Sequence, residues 1–208
     1  MTPRALATLL PVLVLTLGCA TSGAVRPTQE AYPGRLKASQ QLPDGLFWQQ
    51  RVEAVVPATD GTGSNGRKVG FNAVLQSEAG VLRLLALTPM NTRAFLLEQR
   101  GTHVTYTPYI EDEIPFPPRF ILIDVHRTFF APPLPGGDGW REGERDGEVV
   151  RELWKDGRLL ERSYERKDGK PQGRIRIVYR GGMAESLPPS HVELENGWFG
   201  YRLLIHSR

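Results

Sequence analysis

Hydrophobic and polar positions alternate along most of the chain beyond residue 45. Four segments show the alternation most clearly, at residues 46–56, 71–76, 174–180 and 199–206. Successive side chains of a β-strand point to opposite faces of a sheet, so this period indicates strands with one buried and one solvated face. Asp-Gly and Asn-Gly pairs recur between the apolar segments and favour tight hairpin turns. The pattern predicts a mainly β domain.

About ten strands are predicted, and the connections between most of them are short. Parallel strands need crossovers of a dozen or more residues, so short connections favour an antiparallel sheet. A twisted sheet of this many strands tends to curl, which predicts a barrel or half-barrel. The absence of a repeat of 20 to 50 residues argues against a propeller or a solenoid. The predicted strands are 45–56, 67–76, 80–88, 93–99, 103–107, 148–155, 158–167, 173–180, 190–194 and 198–206.

One apolar segment, between the proline pairs at 117–118 and 132–133, departs from the alternating pattern. Polar residues would fall on both of its faces in a strand, whereas helical spacing gathers its large apolar residues on one side. Proline is tolerated in the first turn of a helix and ends one further along. The segment is too short to cross a bilayer, which takes about 20 residues. We therefore expect a short helix against the curved sheet, with an apolar stripe of Ile121, Leu122, Val125 and Phe129.

The first 18 residues have the features of a signal peptide, because Arg4 precedes an apolar run that extends from Leu6 to Gly18. Cys19 is the only cysteine and follows this run directly. Its position resembles that of the lipid-modified cysteine of bacterial lipoproteins, which predicts attachment to a membrane. Cleavage of an ordinary signal peptide near residues 22–24 remains the alternative. A single cysteine leaves no partner for an internal disulfide.

Composition divides the rest of the chain into a tether and a domain. Residues 19–41 are rich in Ser, Thr, Pro, Gly and Gln, which predicts a flexible, lipidated tether, and residues 42–208 form the predicted domain. Hydrophobic residues make up 40% of the chain and charged residues 24%, a composition typical of a globular protein. The formal net charge is only +3, which does not favour a nucleic-acid partner.

No residue pattern indicates catalysis. The four histidines are scattered without the i, i+4 spacing of a helical metal site, and the chain has no Gly-x-Ser-x-Gly motif. The acidic residues 111–113 are more typical of a solvated loop than of a cation site. We expect no catalytic residue, no metal and no cofactor, and therefore a protein that is not an enzyme.

A basic run near the C-terminal end offers a possible binding surface. Its central members are Arg174, Arg176 and Arg180. Cations beside a membrane attract anionic headgroups, so these residues could contact a headgroup or a partner protein. The alternative is that they form the water-facing side of a pair of strands.

Four stretches carry a resemblance to a known family: DGLFWQQRV at 44–52, LALTPM followed by AFLL within 85–97, PPRFILIDV at 117–125, and GYRLLI at 200–205. Together they resemble the LolA/LolB superfamily. The chain is more similar to a group of bacterial lipoproteins encoded beside aryl-polyene biosynthesis genes. The resemblance spans about 160 residues and so covers nearly the whole domain.

The resemblance implies an incomplete antiparallel β-barrel, or half-barrel, closed by one or two short helices around an apolar cavity. It implies a lipid-anchored protein on the periplasmic face of the outer membrane that binds an acyl- or polyene-like ligand and helps transfer or place that ligand or a lipoprotein. Other envelope proteins are the expected partners of such a protein. The alternative is a scaffold lipoprotein with a filled barrel. The expected cavity and lid residues are Phe71, Leu84, Phe95, Ile121, Leu122, Val125 and Phe129.

Overall fold

The computed structural model describes residues 32–56, 66–111, 117–184 and 188–208. The predicted signal peptide, the lipidation site at Cys19 and most of the predicted tether lie outside these ranges. The main helical region consists of α1, Pro118–Val125, and a π-helical segment, His126–Phe130, and a short 3-10 helix spans Ser39–Gln41. The strands of the described chain are β1 Leu46–Val56, β2 Arg67–Glu78, β3 Val81–Leu87, β4 Arg93–Arg100, β5 His103–Pro108, β6 Gly139–Arg145, β7 Glu148–Lys155, β8 Arg158–Arg166, β9 Arg174–Met183, β10 His191–Asn196 and β11 Tyr201–Ser207.

All of these strands belong to one antiparallel sheet in the order β5-β4-β3-β2-β1-β11-β10-β9-β8-β7-β6. The N-terminal and C-terminal halves are each a meander, and β1 pairs with β11 where the halves meet. Strands β5 and β6 lie at opposite edges and do not pair with each other. The sheet is therefore open, which confirms the predicted incomplete barrel.

The predicted strands agree with the observed ones to within three residues at each end. Two predicted Asp-Gly hairpins are confirmed, because the φ angles are 50° and 78° at Asp146 and Gly147, and 52° and 68° at Asp156 and Gly157. Such paired positive φ angles match the twist of the flanking strands. One strand was missed: the sequence of β6, GWREGER, has a single large apolar residue and so lacks an alternating apolar face.

The helical region joins the two edges of the sheet, since it follows β5 and precedes β6. Pro118 is its first residue, where the missing N–H is not needed, and the helix ends before Pro132 as predicted. Phe120, Leu122 and Ile123 are buried in one cluster with side chains from both halves of the sheet. The region therefore packs across the concave face of the half-barrel.

Side chains of the sheet complete the end of this helical region. The last carbonyl groups of a helix have no partner within the helix. The Tyr164 hydroxyl donates to the Arg127 carbonyl oxygen at 3.2 Å, and the Tyr179 hydroxyl donates to that of Thr128 at 2.8 Å. The Arg162 guanidinium also donates to the Arg127 carbonyl oxygen, at 3.1 Å. These bonds from β8 and β9 hold the π-helical segment against the C-terminal half of the sheet.

Residues 32–42, called the strap here, pack against the domain, although 32–41 were predicted to belong to the flexible tether. Tyr32, Leu36, Ser39 and Leu42 are buried. The Ser39 backbone N–H donates to the Gly101 carbonyl oxygen at 2.9 Å, and the Gly101 N–H donates to Ser39 Oγ at 2.9 Å. The packed part of the chain therefore begins at least ten residues before the predicted start at residue 42. The composition of the strap concealed this, because its few apolar residues are widely spaced.

Candidate ligand cavity

An apolar cavity of about 300 Å³ lies between the helical region and the part of the sheet that runs from β4 through β1 to β10. Its volume is at the lower end of the range for ligand sites, about 300–1,000 Å³. The wall is made mostly of aliphatic and aromatic side chains. Those of the sheet and its turns include Val52, Ala54, Val56, Val69, Phe71, Ala73, Leu84, Ala86, Leu87, Pro89, Ala94, Phe95, Leu194, Leu203 and Ile205.

The helical region contributes one continuous stripe to the wall. Ile121, Val125 and Phe129 of this stripe are each four residues apart, so they lie on one face of the helix. Six of the seven residues that the sequence assigned to a cavity or lid line this space: Phe71, Leu84, Phe95, Ile121, Val125 and Phe129. Leu122 does not, because its side chain is fully buried in the packed core.

The solvent-exposed residues of the wall lie toward one end of the cavity. They include Arg67 of β2, Pro89 in the β3–β4 turn and Ile110 after β5, with Val56 of β1 directly opposite Arg67. Toward the other end Trp48, the next inward residue of β1 beyond Gln50, packs on aromatic side chains of the π-helical segment. Its ring centroid is 5.5 Å from that of Phe129 and 6.2 Å from that of Phe130. We call the exposed end the mouth.

Large apolar side chains near the mouth are exposed to solvent. Met90, in the β3–β4 turn, is 88% exposed, and Tyr109 and Ile110 follow the end of β5. Single exposed apolar residues are common on proteins and need no explanation. Met90 adjoins Pro89 of the mouth, and Tyr109 adjoins Ile110. The entrance is therefore bordered in part by apolar side chains.

Asp124 is the acidic residue of the cavity wall, and other side chains saturate its carboxylate. The hydroxyls of Tyr32 and Tyr201 donate to its two oxygens. Asn196 Nδ2 donates at 3.2 Å and Arg127 Nη1 at 3.2 Å. Burial, followed by the charge of Asp124, raises the pKa of both tyrosines well above the ordinary value. The tyrosines are therefore neutral donors, and the buried Asp124 side chain has four donors.

Arg127 connects this carboxylate to the strap and to β7. Its Nη2 atom donates to Glu148 Oε1 at 2.6 Å and to the Pro33 carbonyl oxygen at 2.7 Å. The guanidinium carbon also lies 5.0 Å from the Trp198 ring centroid and 5.2 Å from that of Tyr164. Burial alone would lower the pKa of Arg127, but the surrounding tyrosines and carboxylates raise it overall. The guanidinium is therefore a permanent buried cation.

A glycine allows the strap to approach this cation. Gly34 has a φ of 100°, and a Cβ atom added there would lie 2.6 Å from Arg127 Nη2. Any larger residue would displace either the strap or the guanidinium.

A second buried ion pair lies deeper in the C-terminal half. Arg162 Nη2 is 2.7 Å from Glu152 Oε1, and the two side chains are 1% and 0% exposed. Glu152 Oε2 accepts hydrogen bonds from the Trp154 indole at 2.8 Å and from the Leu134 backbone N–H at 2.9 Å. Burial opposes ionisation of Glu152, but Arg162 and these donors lower its pKa overall. Both residues are therefore charged within the core.

The histidine of the helical region is buried and hydrogen-bonded to strand β4. His126 Nε2 lies 2.8 Å from Gln99 Oε1, and Gln99 Nε2 donates to the carbonyl oxygens of Lys37 and Gly101. Because Gln99 has already used its amide donors, its oxygen accepts a hydrogen bond from the Nε2–H of His126. His126 Nδ1 is buried and has no hydrogen-bond partner among the described residues. Burial, with a smaller effect of Lys37, lowers the pKa of His126 to about 4.

The sequence interpretation missed this polar network. Four charged residues occupy inward-facing positions, and several of their partners are distant from them along the chain. They are Asp124, Arg127, Glu148 and Arg162. The available signal was the presence of Asp124 and Arg127, three residues apart, within a short helix that is otherwise largely apolar. Charged residues are almost never fully buried unless they are paired. Their positions could therefore have predicted internal partners.

The basic residues singled out from the sequence lie on the convex face, beside glutamate side chains. Arg176 forms two hydrogen bonds to Glu161, at 2.9 and 2.6 Å, and Arg180 forms one to Glu193 at 2.9 Å. Arg174 is exposed and opposes Glu165 on β8. The structure thus places the run on a strand face of mixed charge, outside the cavity.

Within the described ranges, no group of three or more His, Cys, Asp or Glu residues is arranged to hold a metal ion. The sheet does bring two of the scattered histidines together: His191 and His206 are direct cross-strand neighbours with ring centroids 4.3 Å apart. No helix in the described part of the chain has the length and apolar character that a membrane crossing requires.

Comparison with known proteins assigns a family. The chain belongs to the family DUF3261, described as a protein of unknown function, whose model matches residues 48–208. This match covers β1 through β11 except for the first two residues of β1, and so includes all of the cavity wall. A search of curated proteins gave no match. The family assignment covers the fold described above and names no activity.

Proposed function

We propose that this protein is a non-enzymatic envelope lipoprotein that binds an apolar acyl- or polyene-like ligand inside its half-barrel and helps to transfer or place that ligand at the outer membrane. The observation that carries the proposal is the cavity beneath the helical region. A filled barrel would need no such space, because protein interiors are normally packed as densely as organic crystals.

The chemistry of the wall favours an apolar chain over a polar ligand. Asp124, the acidic residue of the wall, already has four donors. Burial of apolar ligand surface would supply the binding energy, at about 25 cal/mol per Å². The exposed Met90, Tyr109 and Ile110 near the mouth would offer a chain an apolar path from a membrane into the cavity.

The remaining parts of the proposal rest on the N-terminal sequence and on resemblance. A lipid on Cys19 would anchor the chain, and Ala20 in place of Asp favours the outer membrane over retention at the inner one. Similarity to the LolA/LolB superfamily supports an acyl ligand and contact with other envelope proteins. No catalytic constellation, metal or cofactor is part of this proposal.

A variant of the helical stripe tests the ligand site. Val125→Asp places a carboxylate in the apolar wall, so we expect binding of a fluorescent fatty acid to fall at least tenfold, because burying an unpaired charge is costly. Val55→Asp is the matched control. Val55 lies on the convex face between the cross-strand neighbours Lys68 and Arg202, so its substitution should leave binding unchanged. Equal binding by the two variants would refute a ligand site beneath the helix.

The anchor has its own test. Cys19→Ala should abolish incorporation of radiolabelled palmitate and move the protein from the membrane fraction to the soluble fraction. Retention of the label in the variant would show that Cys19 is not the attachment site.

The alternative is a scaffold that docks another envelope protein, and one observation favours it. Trp140, on the edge strand β6, is 63% exposed, and edge strands offer unpaired backbone groups to a partner. On this hypothesis neither Val125→Asp nor Val55→Asp would alter function, whereas Trp140→Ala would reduce capture of the partner.

A further inference from the structure

The charges of the cavity wall are arranged asymmetrically. Among the described residues that line the cavity, Arg67 is the only basic one and Asp124 the only acidic one. Arg67 is at the mouth, at the beginning of β2, while Asp124 lies on the helical region one turn beyond Ile121. The cavity therefore has a cation at its entrance and an anion within its wall.

The register of the sheet fixes the position of Arg67. It lies directly opposite Val56, and inward from this pair follow Val69 with Ala54, Phe71 with Val52, and Ala73 with Gln50. Directly opposed residues project from the same face of a sheet, so Arg67 shares the concave face with this apolar ladder. The six residue steps from Val56 to Gln50 span about 20 Å at roughly 3.3 Å per step. An extended chain could lie along this ladder with its polar end beside Arg67.

The interior offers no place for an anionic group. An ionised head entering the cavity would lose its water and would meet the carboxylate of Asp124. The hydroxyls of Tyr32 and Tyr201 already donate to that carboxylate, as does Asn196 Nδ2. A carboxylate or phosphate head is therefore more stable outside the apolar part of the cavity.

The mouth, in contrast, offers an available cation. The side chain of Arg67 is exposed and forms no ion pair or hydrogen bond within the described parts of the chain. Its neighbour Lys68 opposes Val55 and belongs to the convex face. Of these adjacent cations, only Arg67 can therefore reach a head at the entrance.

We propose that the cavity takes a single-chain amphiphile with an anionic head, chain first, so that the head remains at the mouth beside Arg67. This inference rests on the proposed function, since it assigns the ligand class and orientation for the same cavity. Arg67 then acts as a specificity residue, because apolar burial binds the chain and the guanidinium selects the charge of the head.

Three probes with the same chain and different heads test the proposal by isothermal titration calorimetry on the purified protein. We expect dodecanoate to bind about threefold more tightly than dodecanol, the size typical of one exposed ion pair, and dodecylamine to bind more weakly than both. Raising the salt concentration should reduce the preference, because screening weakens exposed charge pairs. Arg67→Glu should reverse the order of the two charged probes.

Lys68→Glu is the matched control: it makes the same charge change at the adjacent position, on the convex face, and should preserve the order. Equal binding of all three probes, unaltered by Arg67→Glu, would overturn the head preference while leaving the apolar site intact. Tightest binding of dodecylamine would overturn the proposed orientation. Binding of none of the probes would refute the proposed ligand site itself, and this inference with it.

Discussion

Arg127 is the residue at which three separate parts of the chain meet. It pairs with Asp124 on α1 and Glu148 on β7, and it donates to Pro33 of the strap. Burial raises the pKa of Glu148 and the charge of Arg127 opposes that rise. The guanidinium therefore compensates two buried carboxylates at once, and these carboxylates would be unpaired charges without it.

Replacing Arg127 should destabilise the protein strongly. We expect Arg127→Met to lower the free energy of unfolding by about 3–5 kcal/mol, because removing one partner leaves buried charge uncompensated. Urea denaturation followed by circular dichroism measures this change. Arg151→Met is the control, since Arg151 pairs with Glu142 and Glu165 on the surface and should cause only a small loss. Similar losses for the two variants would contradict a structural role for the buried network.

His126 makes stability depend on pH in a defined window. Its folded pKa of about 4 lies below the unfolded value of about 6.5, so the unfolded chain binds the proton more readily between these values. Stability from this residue is complete above pH 6.5 and is lost as the pH falls toward 4. The cause is that the second ring proton would fall on Nδ1, which has no partner in the described core.

The variant His126→Gln isolates this contribution. Its amide can still donate to Gln99 but does not titrate, so the loss of unfolding free energy between pH 6.5 and pH 4 should be about 2–3 kcal/mol smaller than in the native protein. Urea titrations at several pH values in this window give the comparison. Parallel pH profiles for the two proteins would show that His126 is not the titrating group.

Among the elements, the helical region has two faces with different roles. Ile123 is buried in the core, whereas Ile121 lines the cavity. Ile123→Ala should therefore cost about 2–4 kcal/mol of unfolding free energy, and Ile121→Ala about 1 kcal/mol or less. Fatty-acid binding should change in the opposite order, with the larger loss in Ile121→Ala. If both variants lost stability and binding in the same proportion, the two faces would not be distinct.

The same helix shows which features of the fold could be predicted from the sequence. Its apolar period and its prolines predicted its position and most of its cavity face. Leu122 was assigned to that face wrongly, because one residue along a helix turns the side chain by about 100° and away from the Ile121 stripe. Strand β6 was missed for a related reason, since Arg141, Gly143 and Arg145 supply no apolar side chain to its inner face.

The burial of the charged residues could have been predicted, but most of their partners could not, because many contacts of the polar network join distant parts of the chain. Tyr32 meets Asp124 across 92 positions, and Asn196 meets Tyr32 across 164. Local periodicity contains no information on such pairs. Composition placed residues 32–41 of the strap in a flexible tether, although Tyr32 stacks on Phe120 with ring centroids 4.4 Å apart.

At the scale of the whole molecule, the half-barrel has two different interiors. The N-terminal half, with β10 and β11, surrounds an apolar cavity, whereas the C-terminal half carries the buried carboxylates Glu148 and Glu152, which pair with Arg127 and Arg162. The ion pairs and the hydroxyls of β8 and β9 hold the helical region from one side. The other side of that region is thereby free to form the wall of a cavity.

The most direct test of this account is native mass spectrometry of the protein released from membranes in a mild detergent. The account predicts a population carrying one apolar ligand, exchange of that ligand for an added fatty acid at one molecule per chain, and loss of both in Val125→Asp. A native protein that carries no ligand and takes up no fatty acid, with the same spectrum as Val125→Asp, would contradict it.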